Sequence, residues 1–206
     1  VEIQGAKNAV LPILAGSLLN QGESIIHNVP DLKDVNTMIL IMESIGCKVK
    51  KEGKTLIVDS GYIHTNEVPE NLVREMRSSI ILLGAILATH KQAKFSYPGG
   101  CDIGLRPIDL HLKSLRELGA EVKESHGYIY CRSSILKGCQ IQLDYPSVGA
   151  TENIMLAASL AEGITIIRNA AKEPEICDLQ DFINKMGGKV KGAGTNTVII
   201  NGVGKL

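Results

Sequence analysis

The sequence predicts an α/β domain assembled from three copies of one βαβαββ-like unit, with helices inside and sheets outside. Three observations predict it. First, segments of matching character recur: ILAGSLLNQGESIIHNV from Ile13, LLGAILATHKQAKFSYP from Leu82 and MLAASLAEGITIIRNAA from Met155. Second, an apolar residue followed by Gly closes a second helix in each copy, as Ile45-Gly46, Leu118-Gly119 and Met186-Gly187, at spacings of 73 and 68 residues. Third, a stretch of alternating residues around a turn follows each pair: KVKKEGKTLIV, EVKESHGYIYC and KVKGAGTNTVII. Alternation about a Gly-containing turn signals a β-hairpin, and a period of this length is the signature of a repeated supersecondary unit. The expected organisation is one domain, residues 1–206, of repeats at approximately 1–60, 61–133 and 134–206.

Each element has a local cause. The first helix of each unit is rich in Ala, Gly and Ser and nearly free of charge beyond its first turn. Such a helix tolerates close approach by its neighbours and belongs in the middle of the domain. The following strand is short and rich in β-favouring residues. The second helices carry one apolar face, through Met38, Met42 and Ile45 in the first unit and Leu179, Ile183 and Met186 in the third. The matching slots of the second unit are His111, Leu115 and Leu118, so His111 is expected to be a core histidine with one satisfied nitrogen.

Repeats share a scaffold, so function is sought where one departs from the others. Asn28 to Ile45 and Asn169 to Met186 both span 17 residues, whereas Tyr97 to Leu118 spans 21. The extra residues fall in the Gly-rich loop 98–107, which sets Cys101 between glycines and charged neighbours. Loops of this kind on a rigid scaffold carry functional groups. Cys101 therefore reads as an accessible, chemically active thiol, and Cys47, Cys131, Cys139 and Cys177 as small buried fillers. Pro107 suits the first turn of a helix and Asp109 the dipole-favoured positions after it.

The second departure lies at the starts of the first helices: Gly5-Ala6-Lys7-Asn8, Glu75-Met76-Arg77-Ser78-Ser79 and Ser147-Val148-Gly149-Ala150-Thr151. Three related helices can present three N-termini, each with unpaired N–H groups, at one end of the domain. Lys7 and Arg77 are cations where the helix dipole prefers anions. That placement favours a bound phosphate or carboxylate over two ordinary solvated side chains.

Composition excludes other classes. Lys plus Arg and Asp plus Glu are both 22, so the net charge is zero and neither nucleic acid nor an anionic membrane is an expected partner. Hydrophobic residues at 44% argue against disorder, and no apolar run is long enough to span a bilayer. Aromatics at 3%, without Trp, leave no base-stacking platform. The five cysteines lack the spacing of a disulfide framework or a zinc site, so no metal is expected and a reducing, cytoplasmic setting fits. No Rossmann fingerprint calls for a redox cofactor, and none is expected. The chain opens at Val1 inside a strand-like stretch, as a piece of something longer would.

Gly5-Ala6-Lys7-Asn8 with Leu11-Pro12-Ile13-Leu14, the loop PGGCDIGLRPIDLHL and the segment SVGATENIMLAASLAEG closely resemble the UDP-N-acetylglucosamine 1-carboxyvinyltransferase family of enolpyruvyl transferases. The resemblance runs through essentially the whole chain. It implies an inside-out α/β domain, one of two similar domains with substrates in the cleft between them, the second being absent from this chain. It implies transfer of the enolpyruvyl group of phosphoenolpyruvate to the 3′-hydroxyl of UDP-N-acetylglucosamine, the first committed step of peptidoglycan precursor synthesis, and hence a role in cell wall biogenesis, cell shape and division. Cys101 resembles the family's proton donor and the target of fosfomycin. Lys7, Asn8 and Arg106 resemble its phosphoenolpyruvate contacts. Arg77, Arg106, Pro107, Ile108, Asp109, Leu110, Ser147, Val148 and Gly149 resemble its nucleotide-sugar contacts. Tyr145 departs from the Lys that several members carry two residues before this Ser. The rival readings are a non-catalytic domain for a phosphorylated ligand, a 3-phosphoshikimate 1-carboxyvinyltransferase-like enzyme and a repeat scaffold for protein contacts.

Overall fold

The computed structural model describes residues 5–99 and 108–206. Among the described residues, ten strands form three separate sheets that share a three-stranded plan. The first contains β1 (Glu23–Ile26), β2 (Lys48–Glu52) and β3 (Thr55–Asp59) in the order β1-β3-β2. The second contains β4 (Gln92–Ser96), β5 (Glu121–Ser125) and β6 (Tyr128–Arg132) in the order β4-β6-β5. The third adds one strand, with β7 (Gln140–Gln142), β8 (Ile164–Arg168), β9 (Val190–Lys191) and β10 (Thr197–Asn201) in the order β7-β8-β10-β9. The hairpin strand that closes each unit lies in its sheet's interior, antiparallel to both neighbours.

The alternation read from the sequence sets which face is buried. Leu56 and Val58 on β3, Ile129 and Cys131 on β6, and Val198 and Ile200 on β10 all point inward and are buried. Because side chains alternate across a strand, the residues between them face outward, and Tyr130 is 41% exposed there.

Between the sheets lie the helices. The second helices of the units, α2 (Lys33–Ile45), α5 (Asp109–Glu117) and α7 (Pro174–Lys185), are amphipathic, with Met38, Met42 and Ile45, or Leu179 and Ile183, fully buried on one face. Gly46, Gly119 and Gly187 follow them at φ of 116°, 93° and 103°, a left-handed conformation that only Gly adopts without strain.

The first helices, α1 (Lys7–Gly16), α4 (Leu82–His90) and α6 (Val148–Ala158), form the centre. Every residue of α4 from Leu82 to Ala88 is buried, and so is every residue of α6 from Ala150 to Ala158. A helix buried all round must find partners for its polar side chains inside the protein.

The second unit departs from expectation at this point. Its first helix is broken into α3 (Glu70–Glu75), a 3₁₀ turn at Arg77–Ile81 and α4. Met76 is extended, at φ −136° and ψ 109°. The turn is held by a side chain from the neighbouring repeat. Gly84 N–H donates to Asn153 Oδ1 at 2.6 Å and Asn153 Nδ2 donates to the Ile80 carbonyl at 3.3 Å. Ile80 C=O and Gly84 N–H are four residues apart, the pair an uninterrupted α-helix would join directly. The Asn153 amide is inserted between them, a recognised cause of helix interruption. The strand expected to open each unit also differs. In the third unit it is β7, parallel to β8. In the second it is a single parallel bridge, Glu67 to Lys94. The first unit's lies outside the described residues.

Gly84 is where this joint is tightest. A Cβ added there would sit 2.3 Å from Asn153 Oδ1 and 2.4 Å from the Asn153 carbonyl oxygen, and backbone cannot step aside cheaply. Gly84→Ala is expected to destabilise the chain by about 2–3 kcal/mol, the upper part of the range for overpacking. The measurement is the urea unfolding midpoint, with the slope of the transition unchanged.

Candidate functional site

The starts of the three central helices meet at one end of the domain. Lys7, Asn8, Leu11 and Pro12 from α1, Met76 to Ser78 from the 3₁₀ turn, and Pro146 to Gly149 with Glu152 from α6 line a single cavity of about 660 Å³. Asp34 of α2, Glu75, His111 of α5, Tyr145 and Glu175 of α7 complete its walls. Residues separated by about 140 positions in the chain are thus neighbours in space because the three units repeat about a common centre.

The helix starts differ in capping. Ala6, before α1, is extended at φ −84° and ψ 132° and provides no side-chain cap. The first N–H groups of α1 therefore point past an apolar residue toward the cavity end, a fixed partial positive charge. Ser147 caps α6: its Oγ accepts from Ala150 N–H at 3.4 Å, while Thr151 Oγ1 donates to the Ser147 carbonyl at 2.8 Å. Val148 and Gly149 follow it, half-buried.

The cations of the site have partners. Lys7 Nζ lies 2.9 Å from Asp34 Oδ2, with 46% of the lysine side chain exposed. This corrects the electrostatic argument drawn from the sequence. A cation at the start of α1 needs no bound anion to explain it, because the carboxylate of α2's first turn supplies the opposite charge. Arg77 is half-buried in the 3₁₀ turn.

His111 is both the core histidine expected and a wall of the cavity. Its Nδ1 lies 3.0 Å from Asn153 Nδ2. The amide nitrogen donates, so Nδ1 accepts and the ring proton resides on Nε2. Burial, with the Arg77 charge adding to it, pushes the imidazole down to about 4 from an ordinary 6.5. The neutral ring packs against Gly149, where an added Cβ would meet Cε1 at 3.2 Å.

Glu152 is not among the candidate residues that the sequence singles out, where the first helices read as nearly free of charge beyond their first turn. It is the fifth residue of α6 and 95% buried (5% exposed). It has no hydrogen-bond or ion-pair partner among the described residues. Burial, then the charges of Glu175 and Glu173, push its carboxyl up to about 8 from 4.5. The available signal was its position four residues after Val148, which puts both on one helix face.

The remaining expectations fall as follows. Asp109 opens α5 at the surface, and Ile108 and Leu110 beside it are buried in the core; none of these three lines the cavity. Cys101, Arg106 and Pro107 lie outside the described residues. Tyr145 stands 51% exposed on the cavity wall. Cys47 and Cys131 are buried, their thiols pushed up to about 12 mainly by desolvation, as fits inert fillers. Cys139 and Cys177 are only half-buried and so correct the expectation for that pair. Cys139 Sγ donates to the Glu117 carbonyl at 3.3 Å.

Comparison with known proteins adds a second, independent description. The family model described as EPSP synthase (3-phosphoshikimate 1-carboxyvinyltransferase) matches residues 1–206. A protein of Caldanaerobacter subterraneus subsp. tengcongensis named UDP-N-acetylglucosamine 1-carboxyvinyltransferase 2 is 62% identical over all of this chain and 49% of its own length. One of Desulfatibacillum aliphaticivorans, named UDP-N-acetylglucosamine 1-carboxyvinyltransferase, is 52% identical over all of this chain and 50% of its own length. The chain thus spans about half the length of the curated relatives it matches. The solved enolpyruvyl transferase NikO from Streptomyces tendae superposes with a TM-score of 0.86 at 22% identity, over 98% of this chain and 47% of that one. An EPSP synthase from Acinetobacter baumannii does so at 0.79 and 20%, over all of this chain and 48% of that one. At such identities these two structures speak for the fold.

The two buried titrating groups give opposite pH slopes. His111, neutral in the fold, contributes stability that is lost as pH falls from 6.5 toward about 4. Glu152, protonated in the fold, contributes stability that is lost as pH rises from 4.5 toward about 8. Between pH 4.5 and 6.5 they oppose each other. Chemical unfolding at a series of pH values is expected to show His111→Leu losing stability with rising pH in that window. Glu152→Gln should gain it, each by about 1.4 kcal/mol per pH unit relative to the unsubstituted chain.

Proposed function

The chain belongs to the EPSP synthase (3-phosphoshikimate 1-carboxyvinyltransferase) family, and from that membership we propose that it is one domain of an enolpyruvyl transferase whose acceptor is UDP-N-acetylglucosamine. The carrying observation is the meeting of Lys7, Asn8, Arg77 and the Ser147–Gly149 helix start around one cavity. The choice of acceptor within the family rests on relatives of that name at 62% and 52% identity over the whole chain.

The chemistry asks for what this cavity offers. The methylene carbon of phosphoenolpyruvate takes a proton, and cationic character develops at its C2. The 3′-hydroxyl oxygen of the sugar adds to C2 and gives up its proton. The tetrahedral intermediate then loses a proton from the former methylene carbon while its C–O bond to phosphate breaks. The double bond returns and inorganic phosphate leaves. Fixed positive charge around the phosphate and carboxylate steadies the anionic groups throughout. In this reading Lys7 Nζ, the Asn8 amide and the uncapped N–H groups of α1 hold phosphoenolpyruvate. Lys7 exchanges Asp34 for the incoming anion, a small loss because an exposed ion pair is worth little. Arg77 and the Ser147–Gly149 backbone take the nucleotide sugar, with Arg106 and Pro107 completing that contact. Cys101 is the general acid.

Such an enzyme belongs to peptidoglycan precursor synthesis and to the cytoplasm. No helix among the described residues is long and apolar enough to cross a membrane. The chain would be a single domain of three repeats, and the remaining length of its relatives would supply the opposite wall of the cleft.

Two measurements test the reading. In the two-domain protein carrying this chain, phosphate release from phosphoenolpyruvate is expected with UDP-N-acetylglucosamine and not with 3-phosphoshikimate. The opposite preference would assign the chain to the sister activity. Cys101→Ala should lower that rate by about 10²–10⁴-fold, the usual contribution of a positioned general acid. Peptide mapping after fosfomycin should find a single adduct, on Cys101; unchanged turnover in Cys101→Ala would remove the residue from the mechanism.

A further inference from the structure

Among the described residues Glu152 alone is a buried carboxyl, and the proposed reaction does not use it. Folding alone does not account for it. The other buried polar side chains of α6, and that of Ser159, which caps its end, are all partnered: Thr151 Oγ1 donates to the Ser147 carbonyl and accepts from Ala171 N–H, Asn153 joins Gly84, Ile80 and His111, and Ser159 Oγ donates to the Met155 carbonyl. Glu152, 95% buried on the same helix, has no such partner among the described residues and lines the cavity. Its oxygens are not sealed from solvent but open onto the cavity, so their hydrogen-bonding capacity is available to whatever occupies it.

The surroundings set its charge. From α7 and the residue before it come Glu175 and Glu173, both of which disfavour a second negative charge. From α5 comes His111, held neutral. Lys7 at the start of α1 is already engaged by Asp34 of α2. Arg77 stands on the 3₁₀ turn, beside Glu75. The environment is thus acid-rich around Glu152 itself while the cavity's cations lie at the other helix starts.

We propose that Glu152 is a ligand-contacting residue that binds in its uncharged form, its carboxyl O–H donating a hydrogen bond to an oxygen acceptor of the nucleotide sugar, so that ligand affinity is coupled to the proton it holds. The proposal rests on the reading of this cavity as a nucleotide-sugar site. A neutral carboxyl donates to phosphoryl, hydroxyl or carbonyl oxygen alike, whereas an ionised one would repel the diphosphate and offer no donor. With the carboxyl at about 8 in the free chain, it is protonated at neutral pH and lost to the ligand above that.

Isothermal titration of UDP-N-acetylglucosamine into the two-domain protein carrying this chain, at pH 7, 8 and 9 and in buffers of differing ionisation enthalpy, tests this. The unsubstituted chain should weaken about tenfold between pH 7 and 9 and take up a proton on binding at pH 8 and above. Glu152→Gln keeps a donor at every pH, so its affinity should lack that pH dependence and its binding should take up no extra proton. Glu152→Ala, which has no donor, should bind more weakly than Glu152→Gln at pH 7. Identical pH profiles for the unsubstituted chain and Glu152→Gln, with binding intact in both, would overturn the proposal and leave the nucleotide-sugar reading standing. Absence of saturable binding by the unsubstituted two-domain protein at pH 7 would overturn that reading and the proposal with it. Urea unfolding at pH 7 checks that both variants are folded.

Discussion

The insertion of one amide into a neighbouring helix holds the centre of this molecule together. Asn153 completes the hydrogen bonding of Ile80 and Gly84, which belong to a different repeat, and presents its remaining N–H to His111 on a third helix. Leaving any of these groups unpaired in the interior would cost about 1–3 kcal/mol. The joint therefore ties α6 to α4 by directional bonds as well as by apolar packing. Close contact there requires Gly84. With Met76 extended and Arg77–Ile81 in a 3₁₀ turn, the start of the second unit's helix has a shape unlike its two counterparts.

That cavity combines groups that stabilise the fold with groups that do not. Lys7 with Asp34 and the Ser147 cap lower the energy of the empty chain. Glu152 does the opposite, buried beside further carboxylates with no partner among the described residues. Functional sites commonly carry such strain in the form of displaced proton affinities. Here the displaced pair straddles neutrality: an imidazole kept uncharged and a carboxyl kept protonated, both along one wall. Each therefore faces the cavity as a neutral hydrogen-bonding group, and the fixed positive charge comes from the helix starts, Lys7 and Arg77.

The repeat explains how a site can be dispersed along a chain and compact in space. The starts of the three central helices line one cavity, so residues far apart in the chain meet there. The three starts differ: an uncapped one at Ala6, a 3₁₀ turn at Arg77, and a capped one at Ser147 followed by a carboxyl one turn later. Family membership and the half-length match to enolpyruvyl transferases accord with this plan.

Patterns local to the chain were decided by the sequence itself. The threefold repeat, the hairpins, the amphipathic second helices ended by Gly46, Gly119 and Gly187, and the buried small-residue helices all follow from spacing and side-chain size, because period and steric volume act over a few residues. Lys7, Arg77 and Ser147–Gly149 were legible as a group for the same reason, since equivalent positions in repeats must converge. Tertiary structure alone decided the rest. Asn153 looks like any polar residue in a helix until Gly84 and Ile80 are brought to it from about 70 positions away. Glu152 becomes a neutral carboxyl, and Lys7 a paired cation, only when α7 and α2 arrive beside them. Charge state, hydrogen-bond completion and cavity shape depend on desolvation and on partners distant in sequence, and these exist only once the chain has folded.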